Sequence, residues 1–357
     1  MKTRVVVWGT GNVGRPAIRA VHSHANLDLV GVVVASESKV GQDAGTIAGI
    51  ETVGVLATND WPALRDAGVD AVVYTATADI RPEAALADLL DCLGNGIDVV
   101  STSFHPLLYP PAAPAELVDM IEQACQAGNS SLFVSGIDPG WVMDALPLFA
   151  SAMSSDIEEI RTREIFNYAL YDQPEVVRDV IGFGTSMDET PPMLLDFSLR
   201  LVWEGMVRVV AEGLGQTVDE VVTHVERRPL EKDVHVEQMG LFEAGTQGAF
   251  RFEVAALCGG QQRFVVEHVT RIDEDCAPDW PYPPEGQGVH QVIIKGSPCV
   301  TLSVHGEDPV EPGAAGGGNA TAACRVVNAI EAVRAARTGV LSTLDLPSMD
   351  GAAQMRA

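Results

Sequence analysis

Near the N-terminus an apolar run, Arg4-Val5-Val6-Val7-Trp8, breaks at Gly9-Thr10-Gly11-Asn12-Val13-Gly14 and passes at once into a helical segment opened by Arg15-Pro16. Few short patterns constrain a chain as tightly. A strand, three glycines spaced as G-x-G-x-x-G and a helix give each glycine its own task. Gly9 makes the tight turn, Gly11 lets backbone approach a pyrophosphate, and Gly14 allows helix and strand to pack closely. The helix N-terminus then faces negative charge with unsatisfied N–H groups. Gly9, Thr10, Gly11, Asn12, Val13, Gly14 and Arg15 are therefore expected to hold a dinucleotide.

Which dinucleotide depends on the end of the next strand, Leu27 to Ser36. An acidic residue in the first position there would bind the ribose 2'-hydroxyl of NAD. Here Ala35, Ser36, Glu37, Ser38 and Lys39 follow. Ser36 and Lys39, with Arg15 adding charge, suit a 2'-phosphate, so NADP is expected, with NAD as the alternative. Strands and helices keep alternating through VDAVVYTAT, PEAALADLLDCLGNG, IDVVSTS, APAELVDMIEQACQAG and SLFVSG. That rhythm predicts a Rossmann doubly wound parallel sheet over 1–150. Ligands of such sheets sit beyond the carboxyl ends of the strands, which brings Thr75, Ala76, Thr77, Ser101 and the segment through His105 to the nicotinamide side.

After residue 150 the periodicity changes. Longer segments with partial alternation, IEEIRTREIFNYALY, GAFRFEVAALCGG, QQRFVVEHVTRI, HQVIIKG and CVTLSVHG, predict an α+β domain of mostly antiparallel strands over 151–316. Residues 192–213 carry apolar positions at helical spacing and read as a core-facing helix. A glycine-rich stretch then opens a helix with Ala322, Val326, Ile330 and Val333 on one face. It is expected to return over 317–357 and complete the first domain.

Asp and Glu number 49 against 23 Lys and Arg, a net charge of -26, which would repel a phosphate backbone or an anionic membrane surface. Neither nucleic acid nor membrane is an expected partner. The six cysteines and eight histidines show no metal-ligand spacing, so no metal is expected, and no leader-like apolar segment precedes the glycine loop. A cytoplasmic location is the corresponding expectation.

Four stretches together, VVVWGTGNVGRPAIRA, VVSTSF followed by LLYP, SGIDPGWVMDALPL and GGGNATAACRVVNAI, resemble the dihydrodipicolinate-reductase-like dehydrogenases. Within that group the chain is most similar to 2,4-diaminopentanoate dehydrogenase and the native amine dehydrogenases. The resemblance implies an NAD(P)-dependent oxidoreductase, a substrate and dimerisation domain after the Rossmann domain, and a homodimer. It departs at one place. The amine dehydrogenases carry a catalytic glutamate between the ST and YP of the second stretch, where this chain has Phe104 and His105. The resemblance directs Glu164 and Tyr168 toward the substrate, where Glu164 would supply the absent carboxylate. Read from the residues alone, Glu164 is an exposed strand position.

A carboxylate stabilises cationic nitrogen, whereas a histidine moves protons and can donate to a developing oxyanion. Reduction of an imine from a small apolar ketone, or oxidation of the amine, is therefore one expectation. A carbonyl or imine reductase using His105 is another, and a non-catalytic NADP-binding sensor a third. Phe104, Tyr109, Trp141 and Met143 are candidate substrate-wall residues. Asn319 is placed at the N-terminus of the last helix, as an N-cap or a contact for the nicotinamide carboxamide.

Overall fold

The computed structural model describes residues 1–78, 81–171 and 173–355, arranged as two compact units. Unit 1 comprises Met1–Trp141, Asp308–Glu311 and Gly316–Ala357; unit 2 comprises Val142–Glu307 and Pro312–Ala315.

In unit 1 the apolar runs form parallel strands: β1 (Thr3–Trp8), β2 (Leu27–Val33), β3 (Ala57–Thr58), β4 (Ala71–Tyr74), β5 (Asp98–Ser101) and β6 (Ser131–Val134), in the spatial order β6-β5-β4-β1-β2-β3. Val5, Val6 and Val7 are completely buried, as expected of a strand covered on both faces. The order reverses at β1, so the glycine loop that follows it lies at the switch point of the sheet. Helices α1 (Gly14–Ser23), α2 (Ala44–Ile47), α3 (Trp61–Asp66), α4 (Pro82–Gly94) and α5 (Ala115–Gly128) make the crossovers.

Unit 2 is built on a six-stranded mixed sheet in the order β14-β13-β7-β12-β11-β8. Its strands are β7 (Ser155–Asn167), β8 (Glu220–Pro229), β11 (Gln247–Cys258), β12 (Gln261–Arg271), β13 (Gly288–Ser297) and β14 (Val300–Val304); β9 (Val234–Val236) and β10 (Gly240–Phe242) form a separate hairpin. Only the β7–β12 pair is parallel. Gly259 and Gly260, both at positive φ, close β11 onto β12 in a two-residue turn that favours left-handed backbone. α6 (Ala145–Ser151) precedes the sheet, and α7 (Asp196–Gly213) lays Trp203 against Phe252 and His268 on one of its faces. The opposite face carries Arg161, Arg163 and Arg251, all paired to the fully buried Glu267.

The chain ends in α8 (Ala314–Ala335) and β15 (Gly339–Leu341), the latter pairing in parallel with β6 as a seventh strand. Val326, Ile330 and Val333 of α8 join Val5, Ile18 and Val73 in one core. The helix starts at Ala314, so the glycine-rich stretch is its first turn and not a flexible lead-in. At Gly316 a Cβ would lie 1.7 Å from the Glu311 carbonyl oxygen, so that glycine serves close backbone approach. Among the described residues no helix is long and apolar enough to cross a membrane, and the six cysteines are free thiols.

Candidate active site

The three glycines of the loop after β1 differ in what surrounds them. Gly9 has φ +103°, and a Cβ there would meet Ala76 N at 2.8 Å; at Gly14 it would meet Gly9 O at 2.1 Å. Both are required by the fold itself. Gly11 would meet nothing within 4 Å. Its missing side chain leaves open space beside the loop, which fits a ligand's approach to the backbone. The N-terminus of α1 has no side-chain cap and no acidic residue in its first turn, so its donors suit a phosphate. Lys39 curls back so that Nζ donates to Thr10 O at 3.2 Å and to Thr10 Oγ1 at 3.1 Å. Ser36 and Ser38 are exposed in the turn before it with their hydroxyls 2.7 Å apart, while the Glu37 carboxylate accepts from Asn59 Nδ2. These residues fit a dinucleotide. Arg15 points elsewhere: its Nε and a terminal nitrogen fork onto Glu311 at 3.1 and 2.7 Å, and Arg19 bonds Glu311 and Asp308 beside it.

The neighbouring strand ends brace one another. Thr75 Oγ1 donates to Trp8 O and Gly9 O at 3.1 and 3.2 Å, and Ser103 Oγ donates to Ala76 O. Ser101 is fully buried, its hydroxyl donating to Tyr74 O at 3.1 Å, so it ties β5 to β4 and offers no surface to a nicotinamide. Thr75 and Ala76 remain half-buried and Thr77 exposed. Phe104 adopts the left-handed region at φ 65°, ψ 56°, unusual for a bulky residue, and turns the chain so that half-buried His105 opens a 3-10 turn through Leu108. Tyr109 is buried and Trp141 half-buried. Asn319 lies in the second turn of α8, five residues past its start, and cannot cap it; Thr321 Oγ1 donates within the helix to Gly317 O at 2.9 Å.

Unit 2 holds the second constellation. Glu164 sits on the central strand β7, with His268 of β12 and His290 of β13 as its register partners on either side. All three side chains therefore share one sheet face. His268 Nδ1 lies 3.4 Å from Glu164 Oε1, and His290 Nε2 lies 3.2 Å from Oε2. The Glu164 side chain is only 12% exposed, so the expectation of a solvated strand residue is overturned. The reason is its central strand, flanked by His268 and His290, each more than a hundred positions away along the chain. Burial alone would push the carboxyl up; His268 and His290 overcome that and hold it well below the usual carboxylate range.

Rings line the same face. Contacts run from Phe166 through Tyr168 and Phe183 to Phe250, Phe252 and His268, at centroid separations of 4.5 to 6.3 Å. Tyr168, just past the end of β7, is half-buried within that run. Met143 is packed in the core of unit 2 beside Ile160 and Met206 at 1% exposure, so it walls no substrate space. His268 and His290 were passed over in the sequence because neither shows metal-ligand spacing along the chain. The signal that could have found them is alternation: each falls on the same strand face as apolar partners two residues away.

Comparison with known proteins bears on both units. Residues 3–105 match the family described as dihydrodipicolinate reductase, N-terminus, and residues 141–356 match the 2,4-diaminopentanoate dehydrogenase C-terminal domain. The chain is 46% identical to an amine dehydrogenase of Streptomyces virginiae over 96% of its own length and 95% of the relative's. It is 22% identical to the 2,4-diaminopentanoate dehydrogenase of Acetoanaerobium sticklandii over 97% and 94%. The solved amine dehydrogenase of Mycobacterium smegmatis superposes with a TM-score of 0.72 at 21% identity, covering 99% of each chain, a likeness of fold.

Proposed function

The chain belongs to the 2,4-diaminopentanoate dehydrogenase family of NAD(P)-dependent oxidoreductases, and from that premise we propose that it interconverts a small apolar amine and the corresponding ketone or aldehyde, with NADP as its nucleotide. In the oxidative direction an amine, water and NADP+ become the carbonyl compound, ammonium and NADPH. The nucleotide, when bound, accepts or delivers the hydride. Gly11, the α1 N-terminus and Lys39 would hold its phosphates, and the turn Ser36–Lys39 supports the choice of NADP.

One observation carries the amine chemistry. Glu164 is an ionised carboxylate on an aromatic, largely buried surface, where a cationic nitrogen gains most from it. A carboxyl held this low is a poor proton acceptor at neutral pH, so its task is to stabilise an ammonium or iminium charge. Arg161, Arg163 and Arg251 lie on the other face and are paired with Glu159, Glu253 and Glu267, while Arg227, in register with Phe250 on the Glu164 face, donates to Gln247 and to the carbonyls of Ser186, Met187 and Glu189. With Arg227 engaged in this way, that face supports an apolar amine over an amino acid, whose carboxylate would need a cation.

The test is NADPH oxidation over a panel of small ketones and aldehydes, each with and without concentrated ammonium. Ammonium-dependent turnover yielding the amine is expected. A second reading, a carbonyl reductase with His105 as proton donor, is favoured by the left-handed Phe104 that presents this histidine at a strand end. Turnover without ammonium, lost in His105→Ala, would select it. Nucleotide binding without turnover on any substrate would favour a sensor. The proposed homodimer is checked by light scattering, against a chain mass of 37.8 kDa.

A further inference from the structure

Glu164 is read above as the cation-stabilising group, and the inference drawn here rests on that reading. We infer that His268 and His290 are positioning residues that grip the two oxygens of the Glu164 carboxylate separately and fix its plane, so that a cationic nitrogen meets it in one orientation. The argument is geometric. β7 is flanked by β12 in parallel and β13 antiparallel, and both registers bring a histidine to the same residue, Glu164. One histidine reaches each oxygen: His268 through Nδ1 to Oε1 and His290 through Nε2 to Oε2. A carboxylate held at one oxygen can still turn about its last torsion, a broad one; held at both, it cannot.

The histidine on β12 is itself held. Phe252 stacks on the His268 ring at 4.5 Å and 14°, and Trp203 of α7 meets it edge-on at 4.9 Å and 65°. Its side chain is 6% exposed. Packing of this kind removes alternative ring orientations, so Nδ1 stays aimed at the carboxylate. His290 Nε2 hydrogen-bonds Oε2 at 3.2 Å and His268 Nδ1 faces Oε1 as an ion-pair contact at 3.4 Å, both at low solvent exposure, where interactions with a charge count for most.

The use of different ring nitrogens makes the inference separable from a structural role. An asparagine amide nitrogen replaces Nδ1 of a histidine, and a glutamine amide nitrogen replaces Nε2. Four polar variants of the full-length protein are therefore compared: H268N, H268Q, H290Q and H290N. Turnover is measured with NADPH, ammonium and the best carbonyl substrate from the panel, and NADPH affinity is measured by fluorescence. H268N and H290Q are expected to keep kcat within about threefold of wild type. H268Q and H290N are expected to lose about tenfold to a hundredfold in kcat, the worth of one bond to a buried charge, with NADPH affinity unchanged. Equal losses in both members of each pair, or the opposite ranking, would overturn the inference. E164Q run alongside separates the two levels. If E164Q turns over like wild type, the reading of Glu164 itself falls; if E164Q is inactive while all four histidine variants match wild type, only the positioning role is refuted.

Discussion

In the function proposed for them, the glycine loop of unit 1 and the Glu164 row of unit 2 would solve the same kind of problem, holding a charged group still, by opposite routes. The loop does it with six consecutive residues and backbone donors, and its specificity lies in what is left out. The row does it with three side chains from three strands, His290 being 126 residues from Glu164 along the chain, and its specificity lies in register. A local device depends on glycine at particular positions. An assembled one depends on the whole sheet, because a one-residue slip would send Glu164 to the arginine face.

The contrast can be broken first at the glycines. Gly14→Ala places a Cβ 2.1 Å from Gly9 O and is expected to destabilise unit 1 outright, seen as loss of the native circular dichroism transition. Gly11→Val fills open space instead, and should leave that transition intact while weakening nucleotide binding about a thousandfold. Loss of fold in Gly11→Val, or retained affinity, would mean that the two glycines do not divide the work this way. In unit 2, Glu164→Gln should lower ammonium-dependent turnover about a hundredfold or more with nucleotide affinity unchanged. An effect on nucleotide affinity equal to that on turnover would contradict a purely chemical role.

Two smaller effects sharpen the picture. Lys39→Ala should weaken NADPH about tenfold and NADH hardly at all; equal losses would remove the 2'-phosphate assignment. Glu311→Gln should cost about 1 to 2 kcal/mol at pH 7 by releasing Arg15 and Arg19. The hydrogen bond from Arg15 holds the Glu311 carboxyl below its ordinary value against the opposing effect of burial. Its stabilisation is therefore fully present above the unfolded-state value and is lost as pH falls through the folded one. The difference in melting temperature between wild type and Glu311→Gln should shrink on going from pH 7 into the acid range, and a constant difference would deny the ion pair its role.

Legibility followed the same division. The β1 strand, its loop and α1 were readable because a contiguous pattern carries the reason for each residue. The alternation of strands and helices likewise led to the parallel sheet, and the change of period after residue 150 to a largely antiparallel one. Glu164 was misread because EIRTRE carries charge at Glu159, Arg161, Arg163 and Glu164 without showing which face is covered; the cover comes from His268 and His290, the former packed by Trp203 and Phe252. Asn319 was misplaced because glycines in GAAGGG suggest freedom, whereas Gly316 is needed where the helix touches the Glu311 carbonyl. Strand β8 went unread, since the polar run EVVTHVERRP has little of the apolar signal of its neighbours.

The return of α8 and β15 to unit 1 bears on the order of synthesis. Domains on a ribosome usually fold in the order they emerge. Here the part encoded first stays short of Val326, Ile330 and the edge strand Gly339–Leu341 until the last stretch of chain is made, whereas unit 2 is complete at Ala315. The nascent protein should therefore close its second unit while the nucleotide-binding sheet still waits with β6 as an open edge. Chains stalled with residue 315 just outside the exit tunnel should resist protease across unit 2 and be cut within 1–141, and protection in the reverse order would show that the first unit can hold together without its last strand.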